Sequence, residues 1–205
     1  MKPLKTFVFG IMAGICIAIG GTVFLSVESK VIGALFFTVG LFVICTSGFN
    51  LFTGKVCYIF ENDKAYAFSL ILIWCGNLMG TIIVALVELL TRIGPALTEK
   101  ASTICSGKLN DTVLSIFILS AFCNILIYFA VDGFKNNPHE LGKYLSLFFG
   151  VAVFILCGFE HCVANMYYFT IAKMWTSKTI LYIIVMTFGN SCGGVLFPIL
   201  KKLNS

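Results

Sequence analysis

The chain has 205 residues, of which 59% are hydrophobic and 11% charged, and its mean hydropathy is +1.00. That balance excludes an ordinary soluble domain, and at about 20 apolar residues per span it leaves room for roughly six membrane helices with short loops. The net charge of +5 does not point to nucleic acid, because the Lys and Arg residues stand at span ends rather than in a clustered stripe.

The first apolar run, 6–27, follows Lys2 and Lys5. It is too long for the apolar core of a signal peptide and shows no small-x-small cleavage site, so it reads as span one, with no extension expected ahead of it. Further runs follow at 31–60, 65–90, 112–131, 141–171 and 179–200, divided by polar stretches at 28–30, 61–64, 92–111, 132–140 and 173–178. The fold expected is an all-α, single integral membrane domain over 1–205. On alternate sides of six spans, Lys2, Lys5, Lys55, Lys64, Lys135, Lys143, Lys201 and Lys202 face Lys30, Arg92, Lys100, Lys108, Lys173 and Lys178. The excess on the first side puts both termini in the cytoplasm of a cell with this protein in its cytoplasmic membrane.

Runs two and five are longer than a simple span. Each is interrupted by polar residues, at Ser47-Gly48-Phe49-Asn50-Leu51-Phe52-Thr53-Gly54-Lys55 and at Gly158-Phe159-Glu160-His161-Cys162-Val163-Ala164-Asn165. Both read as broken helices, which a bilayer tolerates only where protein or a water-filled cavity satisfies the freed backbone groups. Runs three and six share a pattern, Gly76-Asn77-Leu78-Met79-Gly80 and Gly189-Asn190-Ser191-Cys192-Gly193. Two matching halves of three spans each must cross the membrane in opposite senses, so the expectation is two inverted three-helix repeats with broken second and fifth helices. Close helix packing accounts for the glycines alone, but not for Asn77 and Asn190, whose amides are suited to holding frayed helix ends.

Glu160 and His161, deep in an apolar run, read as a permeation or proton-relay site; the alternative is a histidine satisfied in a helix contact. Adjacent Cys162 and His161 also raise a membrane enzyme, but neighbouring side chains rarely bring their functional atoms together and no third residue accompanies them. No enzymatic activity is expected. The nine cysteines are scattered without a C-x-x-C pair, so they read as packing residues, and no metal or cofactor is expected.

The fifth-run motif Gly158-Phe159-Glu160-His161-Cys162-Val163-Ala164-Asn165-Met166 resembles the signature of the formate/nitrite transporter family, G-F-E-H-S-V-A-N-M. The second-run motif Gly48-Phe49-Asn50-Leu51-Phe52-Thr53-Gly54-Lys55 is similar to that family's G-A-E-L-F-T-G-N, with Cys123-Asn124, Gly189-Asn190 and Lys108 as further matches. The resemblance implies an aquaporin-like homopentamer conducting small monovalent weak-acid anions such as formate, hydrosulfide or nitrite. A neutral-solute channel of the same architecture is the competing reading, but the Asn-Pro-Ala loops it needs do not occur in this chain. By the same resemblance His161, Thr53 and Asn165 serve proton exchange and anion binding, and Lys108, paired with Glu160, attracts anions. Leu51 and Phe154 would form the cytoplasmic constriction, and Phe37 and Ile127 the outer one. The chain departs from the family pattern at Asn50 and Lys55, and no counterpart of the family's amphipathic N-terminal helix is expected before span one.

With an ordinary pKa near 6.5, His161 is the side chain on this path suited to exchanging a proton near neutral pH. An unpaired anion faces a penalty of several kcal/mol in a dry apolar slit, whereas its neutral acid passes far more easily.

Overall fold

The computed structural model describes residues 3–203, so Lys2 of the charge count lies outside the described residues. Among the described residues every regular element is helical: α1 Pro3–Ser26, α2 Lys30–Phe37, α3 Val39–Ser47, α4 Phe52–Val56, a 3-10 turn Ile59–Glu61, α5 Lys64–Glu88, α6 Gly94–Leu109, α7 Val113–Asn136, α8 Glu140–Cys157, α9 Cys162–Ile171 and α10 Ser177–Leu203. Six helices are long and apolar enough to cross a membrane: α1, α2 with α3, α5, α7, α8 and α10.

The polar stretches between the runs also start the helices that follow. Asp63 accepts a hydrogen bond from Tyr66 N–H at 2.9 Å, and Thr112 accepts one from Ser115 N–H at 3.2 Å, each satisfying a helix-start donor that would otherwise lack a partner. The separating stretch 92–111 is itself mostly helical. It holds α6, opened by Pro95 and burying Gly94, Leu97, Ala101 and Cys105 on one face. Run four likewise continues past residue 131 to Asn136, because Asp132 stays helical and pairs with Lys201 at 2.9 Å. The second span carries a further irregularity at Thr38, where the N–H and the hydroxyl both bond Leu35 O, at 3.3 and 2.6 Å, and tighten the join between α2 and α3.

Small residues hold the long helices together. A Cβ added at Gly76 would lie 2.6 Å from Phe7 O, and one at Gly80 would lie 2.2 Å from Ile11 O; four residues along α5 match four residues along α1, so the two helices run side by side in the same direction with their backbones in contact. Helices α7 and α10 do the same, with a Cβ at Gly193 falling 2.0 Å from Ala121 O. The two parallel pairs are equivalent parts of the two halves of the molecule.

The equivalence extends to single hydrogen bonds. Helix α3 ends at Gly48 with φ 72° and Phe49 N–H returning to Ile44 O; α8 ends at Gly158 with φ 70° and Phe159 N–H returning to Phe154 O. These left-handed glycines close helices in the way a residue with a Cβ rarely does. Asn50 N–H then bonds Phe9 O at 3.2 Å, as Glu160 N–H bonds Leu119 O at 3.3 Å. Every pair of partners is separated by the same offset in the sequence. Two halves of three spans related this way traverse the membrane in opposite senses, which gives the inverted-repeat architecture.

Candidate functional site

In each half the chain turns at the left-handed glycine, runs extended for a few residues and enters a short helix. The start of that helix is clamped by one asparagine. Asn77 Oδ1 accepts from Phe52 N–H at 2.8 Å while its amide donates to Gly10 O at 2.8 Å and Asn50 O at 2.9 Å. Asn190 repeats the arrangement, accepting from Cys162 N–H at 2.9 Å and donating to Ser120 O at 2.7 Å and Glu160 O at 2.8 Å. Both side chains are fully buried, so these bonds replace water for backbone groups that the breaks would leave unpaired. Asn124, also fully buried, holds the first half-helix from the side by donating to Thr53 O at 3.0 Å.

The clamps bring the starts of α4 and α9 face to face. His161, the cap residue of α9, places Nε2 2.9 Å from Thr53 Oγ1 on α4, with both side chains essentially inaccessible. Its other ring nitrogen, Nδ1, accepts from Ala164 N–H at 3.1 Å. A nitrogen that accepts carries no proton, so the neutral ring holds its proton on Nε2 and donates it to Thr53 Oγ1. Thr53 then has its own hydroxyl proton left to donate. The positive end of the α9 dipole faces the same point.

On one side of this contact lies a cavity of about 200 Å³ bordered by His161, Asn165, Lys108, Lys30, Phe154 and Tyr168. Lys108 Nζ reaches Glu160 Oε2 at 2.5 Å, and Asn165 Nδ2 donates to the same oxygen at 2.8 Å and to His161 O at 3.0 Å. The carboxylate is thus buried with a charged and a neutral donor on one oxygen, an arrangement that satisfies it away from water. Asn165 Oδ1 and the Tyr168 hydroxyl are buried with no hydrogen-bond partner among the described residues, which leaves an acceptor and a donor available to a bound species.

Phe154 stacks on the His161 ring with centroids 5.6 Å apart and meets Phe37 edge to face at 6.1 Å. The structure therefore groups Phe37 with Phe154, which the resemblance assigns to different constrictions. Leu51 borders a second cavity, of about 180 Å³, on the far side of the Thr53–His161 contact. Ile127 is buried in α7 within the same apolar core.

Three groups at or near this path are given no role in a site by the sequence. Lys30 donates to Leu156 O at 2.9 Å at the rim of the first cavity, and Tyr168 supplies the unpartnered hydroxyl. Glu88, at the end of α5, accepts from Thr22 Oγ1 at 2.5 Å and from the Tyr167 hydroxyl at 2.6 Å, tying α9 to α1 and α5. A glutamate at the edge of a run looks like ordinary span punctuation; what sets Glu88 apart is its closeness to Tyr167 in the fold, which no local pattern reports.

A family model described as formate/nitrite transporter matches residues 1–203. The chain belongs to the formate/nitrite transporter family. It is 25% identical over 187 residues to the formate channel FocB of Escherichia coli (strain K12), covering 81% of this chain and 66% of that protein, so it spans about two thirds of that relative's length. It is 33% identical over 185 residues to the uncharacterized transporter YrhG of Bacillus subtilis (strain 168), covering 82% and 69%. The nitrite transporter NirC of Salmonella typhimurium (strain LT2) is 28% identical over 220 residues, covering 96% and 81%. Among solved structures, a pentameric formate channel with formate bound superposes with a TM-score of 0.82 at 26% identity over 98% of this chain and 96% of that one. An ion channel of the family superposes with a TM-score of 0.88 over 99% and 90% at 24% identity, a likeness of fold. As a member of the formate/nitrite transporter family, this chain brings its two signature stretches together at the Thr53–His161 contact, although they stand far apart in the sequence.

Proposed function

We propose that this protein is a channel for small monovalent weak-acid anions, with formate ahead of hydrosulfide and nitrite, and that it works without chemical turnover as a homopentamer with one path in each protomer. The observation that carries the reading is the buried contact of His161 with Thr53 at 2.9 Å between two cavities. An anion drawn to Lys108 enters the first cavity, where Asn165 and Tyr168 offer an acceptor and a donor. At the centre it meets a Thr53 hydroxyl whose proton is not committed to protein, because the His161 ring already donates to that oxygen. The apolar walls at Phe37, Phe154 and Leu51 oppose a bare charge, so the species that crosses them is the neutral acid, and the proton it gains on one side is returned on the other. His161 exchanges that proton as its imidazolium: the neutral ring takes a second proton on Nδ1 in place of the Ala164 N–H contact, gives a proton to the anion and returns to the neutral form. The pentamer is supported by the likeness to a pentameric formate channel, and the orientation, with both termini in the cytoplasm, by the Lys and Arg excess on that face.

The test is flux of formate, nitrite, hydrosulfide, lactate and chloride into proteoliposomes across pH 5 to 8. Formate flux is expected to rise as pH falls, with chloride excluded. Efficient chloride passage without pH dependence would overturn the mechanism, since hydrochloric acid is too strong to be protonated in the path.

A further inference from the structure

The two halves of the site match in backbone but not in charge. At the positions of Glu160 and Asn165 in the second half, the first half has Asn50 and Lys55. In the second half the ammonium of Lys108 is neutralised by the Glu160 carboxylate. In the first half Asn50 turns its amide to Thr6 O at 3.4 Å, and Lys55 Nζ has no hydrogen-bond or ion-pair partner among the described residues. Lys55 is half-buried and borders the 180 Å³ cavity together with Lys135, Cys45, Leu51 and Phe134; no acidic residue lines that cavity. Lys135 lies with its ammonium 3.9 Å from the Tyr58 ring centroid, a contact that holds the charge without cancelling it.

This cavity is on the opposite face from Lys108. Helix α7 begins at Val113, just after α6, which carries Lys108 in its last turn, and crosses to Lys135 near its other end, roughly 30 Å away at the helical rise. The cavity adjoins Leu51, which immediately precedes the half-helix carrying Thr53.

We infer that Lys55 and Lys135 form a second collecting site for small monovalent anions, at the mouth opposite to Lys108. The inference rests on the channel function proposed above. Two cations in a small, otherwise apolar chamber concentrate a carboxylate or hydrosulfide there by charge. No carboxylate in the lining of this cavity stands against its two lysines as Glu160 stands against Lys108, so their charge acts on an anion that enters it.

Cys45 lies in the same cavity and reports its potential directly. In phosphatidylcholine proteoliposomes, the protein is treated with a sulfonate-bearing and a trimethylammonium-bearing methanethiosulfonate reagent, and modification of the peptide carrying Cys45 is followed by mass spectrometry. The ratio of the two rates cancels the thiol's own reactivity and leaves the effect of local charge. We expect Lys55→Gln to lower the anionic-to-cationic ratio about tenfold, Lys55→Gln with Lys135→Gln to lower it further, and Lys55→Arg to keep it. In parallel, the formate concentration giving half-maximal current across a planar bilayer is expected to rise severalfold in Lys55→Gln when formate is added on the face bearing the termini, and to stay within twofold on the other face. A ratio unchanged within twofold in the double variant overturns the site; if Cys45 reacts with neither reagent, equal effects on both faces in the bilayer overturn it. The thiol ratio needs no transport, so a wild-type protein that failed to carry formate would refute the proposed function while the site stood or fell on the labelling.

Discussion

Replacing Asn190 tests whether the backbone clamp positions the histidine. The amide makes three buried hydrogen bonds, to Cys162 N–H, Ser120 O and Glu160 O, and the residue after His161 is one of them. Asn190→Ala removes all three and leaves buried backbone groups without water. At about 1–3 kcal/mol for each group left unpaired, and with Ser120 O still able to use its helical partner, the loss comes to about 4 kcal/mol. For a chain of this size that corresponds to a fall in thermal midpoint on the order of 10 °C. Asn190→Asp is the sharper variant, because it keeps the acceptor for Cys162 N–H but turns an oxygen toward two carbonyls. Thermal aggregation in detergent, followed by fluorescence size exclusion, and formate flux at a temperature where the variant remains folded are the two readouts. We expect both variants to lose stability and flux together, and Asn77→Ala to match Asn190→Ala. A midpoint within 2 °C of wild type with undiminished flux would refute the clamp.

His161→Phe and His161→Asn should abolish formate flux between pH 5 and 8 while preserving assembly; wild-type rates from either would remove the proton-exchange role. Lys108→Ala leaves the Glu160 carboxylate buried without its cation and should cost about 3 kcal/mol of stability, most of it restored in Lys108→Ala with Glu160→Gln, as thermal midpoints of the single and double variants would show. Gly193→Ala forces a Cβ to within 2.0 Å of Ala121 O and should prevent stable assembly, whereas Gly107→Ala, with nothing within 4 Å, should leave or slightly raise the midpoint; expression and melting in detergent check the pair. Phe154→Ala, by widening the wall beside His161, should increase formate flux and weaken the exclusion of chloride, which the proteoliposome assay reads directly.

Much of this architecture is legible in the sequence, because apolar length sets the spans. The interruptions at Gly48 and Gly158 show through as well, since polar residues in the middle of a lipid-length run are too costly to stand there without a break in the helix or a partner. Helix α6 does not show in hydropathy, as its sequence is polar. Its signal is the spacing of Leu97, Ala101 and Cys105 behind Pro95, a soluble-type pattern that a search for spans passes over. The residues that surround the Thr53–His161 contact can be picked out by type and motif, but their grouping cannot. Phe37 meets Phe154 because α2 packs against α8, and Lys55 shares a cavity with Lys135 because α4 lies beside α7; both are facts of tertiary packing that sequence spacing does not encode. Glu88 is the clearest example, as its partners Thr22 and Tyr167 come from the first and fifth spans.

The asparagine that starts each half-helix is also wedged where two long helices touch. Asn77 donates to Gly10 O, and its own carbonyl oxygen is the atom that Gly14 would strike if it carried a side chain. Shifting α4 would therefore mean prying α1 from α5 along a seam that has no slack, and the same holds for α9 between α7 and α10. The centre of the path is in this sense a fixed post. Opening and closing must then be the work of ring rotations at Phe154 and Phe37 or of the residues at the mouths, and a conducting form should superpose on this one throughout the half-helix backbones.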